Sequence, residues 1–331
     1  MSAITIENDL VHYEVLGRGR PVIFVHGWLG SWRYWVPAMQ YLSGTYRGYA
    51  LDLWGFGDSG KDATKYGLRE QITLLYQFFE RLGIPKAVLV GHSLGAAVVV
   101  GFAREHPQRA HRLMLISPPL TDMGGLGDEL PARPPTNPGL QFSTTSETLL
   151  SNPFRTGGET GRAGPVLPTG IAAMPGGATA NNIGQAAIAA LVEKMLGIKP
   201  SGLLAKIVDR DMPDLDILRT EVDKAEELAL VKSAQSLAVT NLALELKRLT
   251  TPTFLLHGEE DAFIPAPSLS MLRAINAGKQ PGQFLPIVDP TVRHFPMLEM
   301  TARFNRLLID VLEAPDLSNI QFKDQWRRTL R

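Results

Sequence analysis

The 331-residue sequence contains no cysteine. Disulfide cross-links, a thiolate nucleophile and cysteine-ligated metal are therefore excluded. Net charge is also missing, because 33 Lys and Arg balance 33 Asp and Glu. That balance argues against a broad electrostatic footprint for nucleic acid or for an anionic membrane surface. No apolar run approaches the roughly 20 residues needed to span a bilayer. Met1 to Leu10 lacks the basic start and apolar stretch of a secretory signal, so a cytoplasmic location is expected. There is no internal repeat. The chain is long for one domain, short for two, and ample for a large buried core.

Short apolar runs bounded by turn residues alternate with stretches of helical spacing. Ile4–Ile6, Val11–Val15, Pro21–Val25, Tyr49–Leu53, Ala87–Val90 and Arg112–Ile116 read as strands. Helices are expected from a Ser31 cap to about Leu42, over Tyr66–Leu82 and over Leu94–Arg104. The alternation resumes with strands Thr253–Leu256 and Phe284–Val288 and helices Pro267–Ile275 and Met297–Leu312. The tail after Ala314 is polar and expected to be peripheral. Such alternation predicts a mostly parallel sheet covered by helices on both faces, with an antiparallel edge from the first strands. Between the two α/β blocks, about a third of residues 121–177 are glycine or proline, against roughly 12% in average proteins. This stretch is expected to be irregular and mobile. Residues 181–249 regain helical spacing: Ile183–Leu196, Leu203–Val208 and Leu215–Leu249, with a break near Leu230–Ser236.

Gly91-His92-Ser93-Leu94-Gly95 follows a buried strand and opens a helix. A serine on a tight strand-to-helix turn presents its hydroxyl clear of the chain, although a glycine-flanked turn with an inert serine has the same appearance. The stretch resembles the nucleophile elbow of the α/β-hydrolase family, in its serine branch, and the resemblance spans Pro21 to Leu312. It implies an α/β-hydrolase core of residues 1–120 and 250–331. It also implies a mainly helical cap inserted at 121–249, irregular over 121–180 and helical over 181–249.

A serine hydroxyl needs a base, and the base needs an orienting acid. In this family the order along the chain is Ser, acid, His. His257-Gly258-Glu259-Glu260-Asp261 with Pro265 resembles the acid loop and implies Asp261, with Glu259 and Glu260 as rivals. His294-Phe295-Pro296 with Glu299 resembles the histidine loop and implies His294 as base, although Arg293 stands where the family has glycine. His26-Gly27-Trp28 resembles the oxyanion loop, implying the backbone N–H of Trp28 and of Leu94 as the two donors. Gly55-Phe56-Gly57-Asp58-Ser59-Gly60 spells a dinucleotide fingerprint, but a polar loop rather than a helix follows it. It better resembles the family's structural turn running from Asp52 to Ser59. Trp28, His92, Trp32, Trp54, Phe263 and Phe295 are candidates to line an apolar pocket.

The resemblance implies a serine hydrolase that needs neither metal nor cofactor. Its expected activity is that of a carboxylesterase acting on a small apolar ester or related acyl substrate. A carbon–carbon bond hydrolase, peptidase or acyltransferase of the same fold, and a ligand-binding receptor on a hydrolase scaffold, are the alternatives. No nucleic-acid or membrane partner is expected.

Overall fold

The structure is a computed structural model describing residues 2–120, 199–208, 212 and 214–320. The chain divides into two units, and everything described lies in the one formed by residues 1–127 and 180–331. The Gly/Pro-rich stretch and the helix expected at Ile183–Leu196 fall outside the described residues.

Eight strands form one sheet: β1 (Ser2–Ile6), β2 (Asp9–Gly17), β3 (Arg20–Val25), β4 (Tyr46–Leu51), β5 (Ala87–His92), β6 (Ala110–Ile116), β7 (Thr253–Gly258) and β8 (Phe284–Asp289). Their order is β1-β2-β4-β3-β5-β6-β7-β8. The β1–β2 and β2–β4 pairings are antiparallel and all others parallel. Crossovers that put helices on both faces explain why β3, β5 and β7 read as unbroken apolar runs rather than alternating ones. Every residue of β5 and β7 is buried.

The helices before the interruption are α1 (Val36–Leu42), α2 (Leu68–Arg81) and α3 (Leu94–Glu105). After it come α4 (Pro200–Ile207), α5 (Leu215–Glu221), α6 (Glu227–Ala238), α7 (Leu242–Arg248), α8 (Leu269–Asn276), α9 (Pro296–Glu299) and α10 (Thr301–Glu313). Local chemistry sets several boundaries. Ser31 accepts from the Arg33 N–H as expected, but it opens a 3₁₀ turn at Trp32–Trp35 before α1 begins. Ser268 caps α8 through the Met271 N–H.

The helical stretch expected over Leu215–Leu249 with one break is three α-helices. Leu230–Ser236 lies inside α6, so the break expected there does not occur. One break falls at Ala225–Glu226, where the chain is extended and the Glu226 N–H donates to the Gly55 carbonyl at 2.9 Å. The other falls before Asn241, whose side chain caps α7 through Leu244. In both places a hydrogen bond outside the helical ladder competes with continuation. No helix among the described residues is long and apolar enough to cross a membrane.

One close approach fixes the centre of the sheet. A β-carbon on Gly95, in the first turn of α3, would stand 2.2 Å from the Val25 carbonyl oxygen at the end of β3. One on Gly91 would stand 2.5 Å from the Gly95 carbonyl oxygen. Glycine at both positions lets α3 sit directly against two strand ends. Gly95→Ala should therefore destabilise the fold by about 1–3 kcal/mol, the cost of overpacking a closed site. Gly44→Ala, at a turn with open space around the added carbon, should be neutral or stabilising by up to about 1 kcal/mol. Denaturant unfolding of the two variants side by side checks the contrast, and equal effects would contradict the packing argument.

Candidate active site

Ser93 joins β5 to α3 with φ 53° and ψ −116°. A positive φ is costly for a residue with a β-carbon, and such strain persists only where the surroundings impose it. Here the Ser93 N–H donates to the Ile116 carbonyl at 2.9 Å and the Ala96 N–H donates to the Ser93 carbonyl at 3.0 Å. One bond ties the turn to β6, the other to the helix. Leu94 is the first helical residue, so its N–H has no acceptor within the helix and lies at the positive end of the helix dipole. The turn after β3 faces this site. A β-carbon on Gly27 would lie 2.6 Å from the Ser93 β-carbon. Two residues on, Leu29 has φ 62°, a second non-glycine in the left-handed region.

His294 lies in the loop between β8 and α9. Its Nδ1 is 2.8 Å from Asp261 Oδ2, and both side chains are buried. The other carboxylate oxygen, Oδ1, accepts the N–H groups of Phe263 and Ile264, each at 2.9 Å. Burial alone would push the Asp261 pKa up. The His294 ring and the Ile264 N–H outweigh it, and the carboxyl is held well below its ordinary value. The rivals are placed differently: Glu259 and Glu260 are exposed, and Glu260 pairs with Arg293 at 3.5 Å. An Nδ1–H donated to the carboxylate leaves Nε2 as the basic nitrogen of the neutral ring. The histidine loop is fixed by Glu299, whose carboxylate oxygens accept the N–H groups of Arg293 at 3.1 Å and Phe295 at 2.8 Å.

The expected pocket residues divide into two groups. The Trp28 and Phe263 rings meet edge to face at 5.6 Å, and Phe263 meets His294 at 5.2 Å. Phe263 thus walls the histidine, and Trp28 extends that wall. The Trp28 indole N–H donates to Ser233 Oγ of α6 at 2.7 Å, tying the wall to the helical segment after the interruption. The other four are defined by their packing. His92 is 0% exposed, Trp54 1% and Phe295 1%. Trp32 packs on His12 and under the Arg33 guanidinium. Strand-end position alone cannot separate a ring that faces an opening from one that fills the layer beneath it.

Three residues take part in contacts that the sequence does not signal. Tyr34 accepts the Gly27 N–H at 2.7 Å and lies 2.9 Å from His92 Nδ1. Ser233 holds Trp28, and His12 lies 2.9 Å from the Asp52 carboxylate. Among the described residues His12, Asp52 and Asp58 form the one group with metal-ligand spacing. Their oxygens are already engaged: Asp52 accepts the Trp32 and Asp58 N–H groups, and Asp58 pairs with Lys224 at 3.0 Å.

A family model described as the alpha/beta hydrolase fold matches residues 20–300. A soluble epoxide hydrolase from Corynebacterium is 32% identical over 106 residues, which is 32% of this chain and 37% of that protein. A human (lyso)-N-acylphosphatidylethanolamine lipase is 32% identical over 102 residues, 30% of each chain. The match thus spans about a third of the curated relatives. Among solved structures, a hydrolase from Pseudomonas aeruginosa superposes with a TM-score of 0.67 at 16% identity, covering 95% of this chain and 98% of that one. An esterase from Exiguobacterium antarcticum gives 0.65 at 17% identity, covering 93% and 97%.

The buried Asp261 carboxylate carries a prediction about acid stability. Its pKa is lower folded than unfolded, so its contribution is fully present above the unfolded value, roughly 4. It is lost as pH falls below that toward the depressed folded value. Unfolding free energy measured from pH 6 to 2.5 should fall more steeply in the wild type than in Asp261→Asn. The difference in slope should reach up to about 1.4 kcal/mol per pH unit, the value for one proton. Parallel curves would contradict the assignment of a charged, paired carboxylate.

Proposed function

The chain belongs to the α/β-hydrolase fold family, and from that premise we propose that it is a serine hydrolase cleaving carboxylic esters through an acyl-enzyme. The observation that carries this reading is the conjunction of a strained serine at the β5–α3 turn with a buried Asp261–His294 pair 2.8 Å apart. Ser93 Oγ attacks the ester carbonyl carbon while His294 Nε2 takes its proton. The carbonyl π electrons move onto oxygen, where the N–H groups of Trp28 and Leu94 receive the charge. Collapse expels the alkoxide, which takes the proton back from His294 and leaves as the alcohol. Water, deprotonated by His294, then attacks the acyl-serine, and the departing Ser93 oxygen takes that proton back from His294 as the acid is released. Asp261 holds the ring in the Nδ1–H tautomer and stabilises the imidazolium formed at each transfer.

The Trp28 and Phe263 rings offer an apolar wall to the acyl or alcohol group. The Trp28–Ser233 bond supports a cap that includes α5 and α6, as does the bond from Glu226 N–H to the Gly55 carbonyl. In this reading α5 and α6 cover the strand-end loops, while α7 returns to pack beside α3 and α8. A metal would have no step to perform, since the nucleophile, base and charge acceptor all come from the chain.

Ser93→Ala should lower kcat toward p-nitrophenyl esters by roughly 10⁴–10⁶-fold, the scale seen when an acting nucleophile is removed. Its unfolding midpoint should be almost unchanged. Styrene oxide, assayed alongside because an epoxide hydrolase is among the relatives, should not be turned over. Full ester activity in the variant, or epoxide opening without ester cleavage, would overturn the reading.

A further inference from the structure

Three loops carry the groups assigned above: the turn after β3, the turn after β5 and the loop after β8. No covalent segment joins them directly, yet one buried chain of hydrogen bonds runs through all three. The Gly27 N–H donates to Tyr34 Oη at 2.7 Å, and Tyr34 Oη lies 2.9 Å from His92 Nδ1. His92 Nε2 lies 2.8 Å from the carbonyl oxygen of His294. Tyr34 is 1% exposed, and His92 not at all.

The polarity of the chain follows from its ends. The His294 carbonyl can only accept, so His92 Nε2 must carry a proton. A second proton on Nδ1 would make a cation in a site without solvent, with the Tyr34 hydroxyl proton left no acceptor in the chain. Nδ1 therefore presents its lone pair, and the Tyr34 hydroxyl donates to it while accepting from Gly27. Every proton in the chain then has one place. We propose that Tyr34 and the neutral, Nε2-protonated ring of His92 are positioning residues that hold the Gly27–Trp28 turn, the Ser93 elbow and the His294 loop in mutual register. The inference rests on the ester-hydrolase reading for its catalytic consequence, but its hydrogen-bond pattern can be tested without turnover.

The Gly27 N–H bond fixes the peptide plane one residue before the Trp28 donor, and a donor displaced by a fraction of an ångström loses much of its effect on a developing oxyanion. The His92 bond fixes the backbone of the residue that must swing neither toward nor away from Ser93. A neutral His92 also keeps positive charge away from His294, whose ring centroid is 4.7 Å from its own. Burial and the neighbouring His294 ring both push the His92 pKa well below its ordinary value, in agreement with a neutral ring.

Nitrogen-15 spectra of histidine-labelled full-length protein give the first readout. Wild-type His92, identified by its loss in His92→Gln, should show one protonated Nε2 and one unprotonated Nδ1 throughout pH 5.5–8.5. Titration of this ring in that range, or an Nδ1–H tautomer, would overturn the proposal. Tyr34→Phe removes one oxygen and gives the second readout. It should lower kcat for p-nitrophenyl acetate about 10–100-fold with KM changed less than about threefold, and it should shift the His92 Nδ1 resonance. His92→Gln, which retains a donor for the His294 carbonyl, should keep at least fivefold more activity than His92→Leu. An unchanged kcat in Tyr34→Phe, or equal activity in the two His92 variants, would also overturn it. If the wild type cleaves no ester at all, the functional reading fails, and the imidazole spectra alone decide the relay.

Discussion

The molecule depends on the direct contact between the first turn of α3 and the ends of β3 and β5. A serine can stand at the top of the sheet with its backbone strained only because the helix begins without a spacer, and that requires a residue without a side chain at Gly91 and Gly95. The same contact brings the β3 turn against Ser93 and places the opening of the helix dipole beside it. Once that contact is made, little freedom remains in where the β3 turn and the β5 turn can lie. What remains is taken up by side chains reaching across from loops distant in sequence.

Two buried carboxylates do much of this reaching, and each is held by backbone N–H groups. Asp261 gathers Phe263, Ile264 and the His294 ring. Asp52 gathers the N–H groups of Trp32 and Asp58 and the ring of His12. Burying a carboxylate is tolerable only when its lone pairs are so occupied, and the consequence is that the loops donating to it are pinned. The Asp52 cluster accounts for the glycine-rich turn after β4. Ser59 donates to the Asp52 carbonyl and accepts the His12 N–H, closing the turn onto β2. These contacts make it an organising turn between β4 and β2.

Much of the fold was legible in the sequence because apolar periodicity and chain order are local signals. All eight strands were anticipated within a few residues, and the family resemblance agrees with the family model's match across residues 20–300. Asp261 and His294 stood out because motif spacing survives in a one-dimensional string, and the structure brings the two together. Tyr34 and Ser233 did not stand out. A tyrosine beside Trp35 in an apolar stretch carries no mark that its hydroxyl will meet a histidine 58 residues on. Ser233 lies 205 residues from the indole it binds. For the same reason strand-end aromatics could not be sorted into pocket and core: Phe263 and Phe295 flank one histidine, yet only Phe263 is partly exposed. The helix breaks at Ala225 and Thr240 differ from the one expected near Leu230–Ser236 because a hydrogen bond to the Gly55 carbonyl and one from the Leu244 N–H to the Asn241 side chain, not propensity, decide them.

The central claim is that the reaction passes through an ester of Ser93. Acid quenching within milliseconds of mixing with an excess of p-nitrophenyl acetate, followed by peptide mass analysis, tests it most directly. The account requires an added acetyl group on the peptide containing Ser93, with a burst of up to one p-nitrophenol per chain before the steady rate. Steady turnover with no acyl-serine trapped would not count against it if deacylation outpaced the quench, so the same experiment is run with a p-nitrophenyl carbamate, whose acyl-enzyme hydrolyses slowly. Ester and carbamate turnover with an adduct on a carboxylate, or with Ser93 unmodified in both, would contradict it.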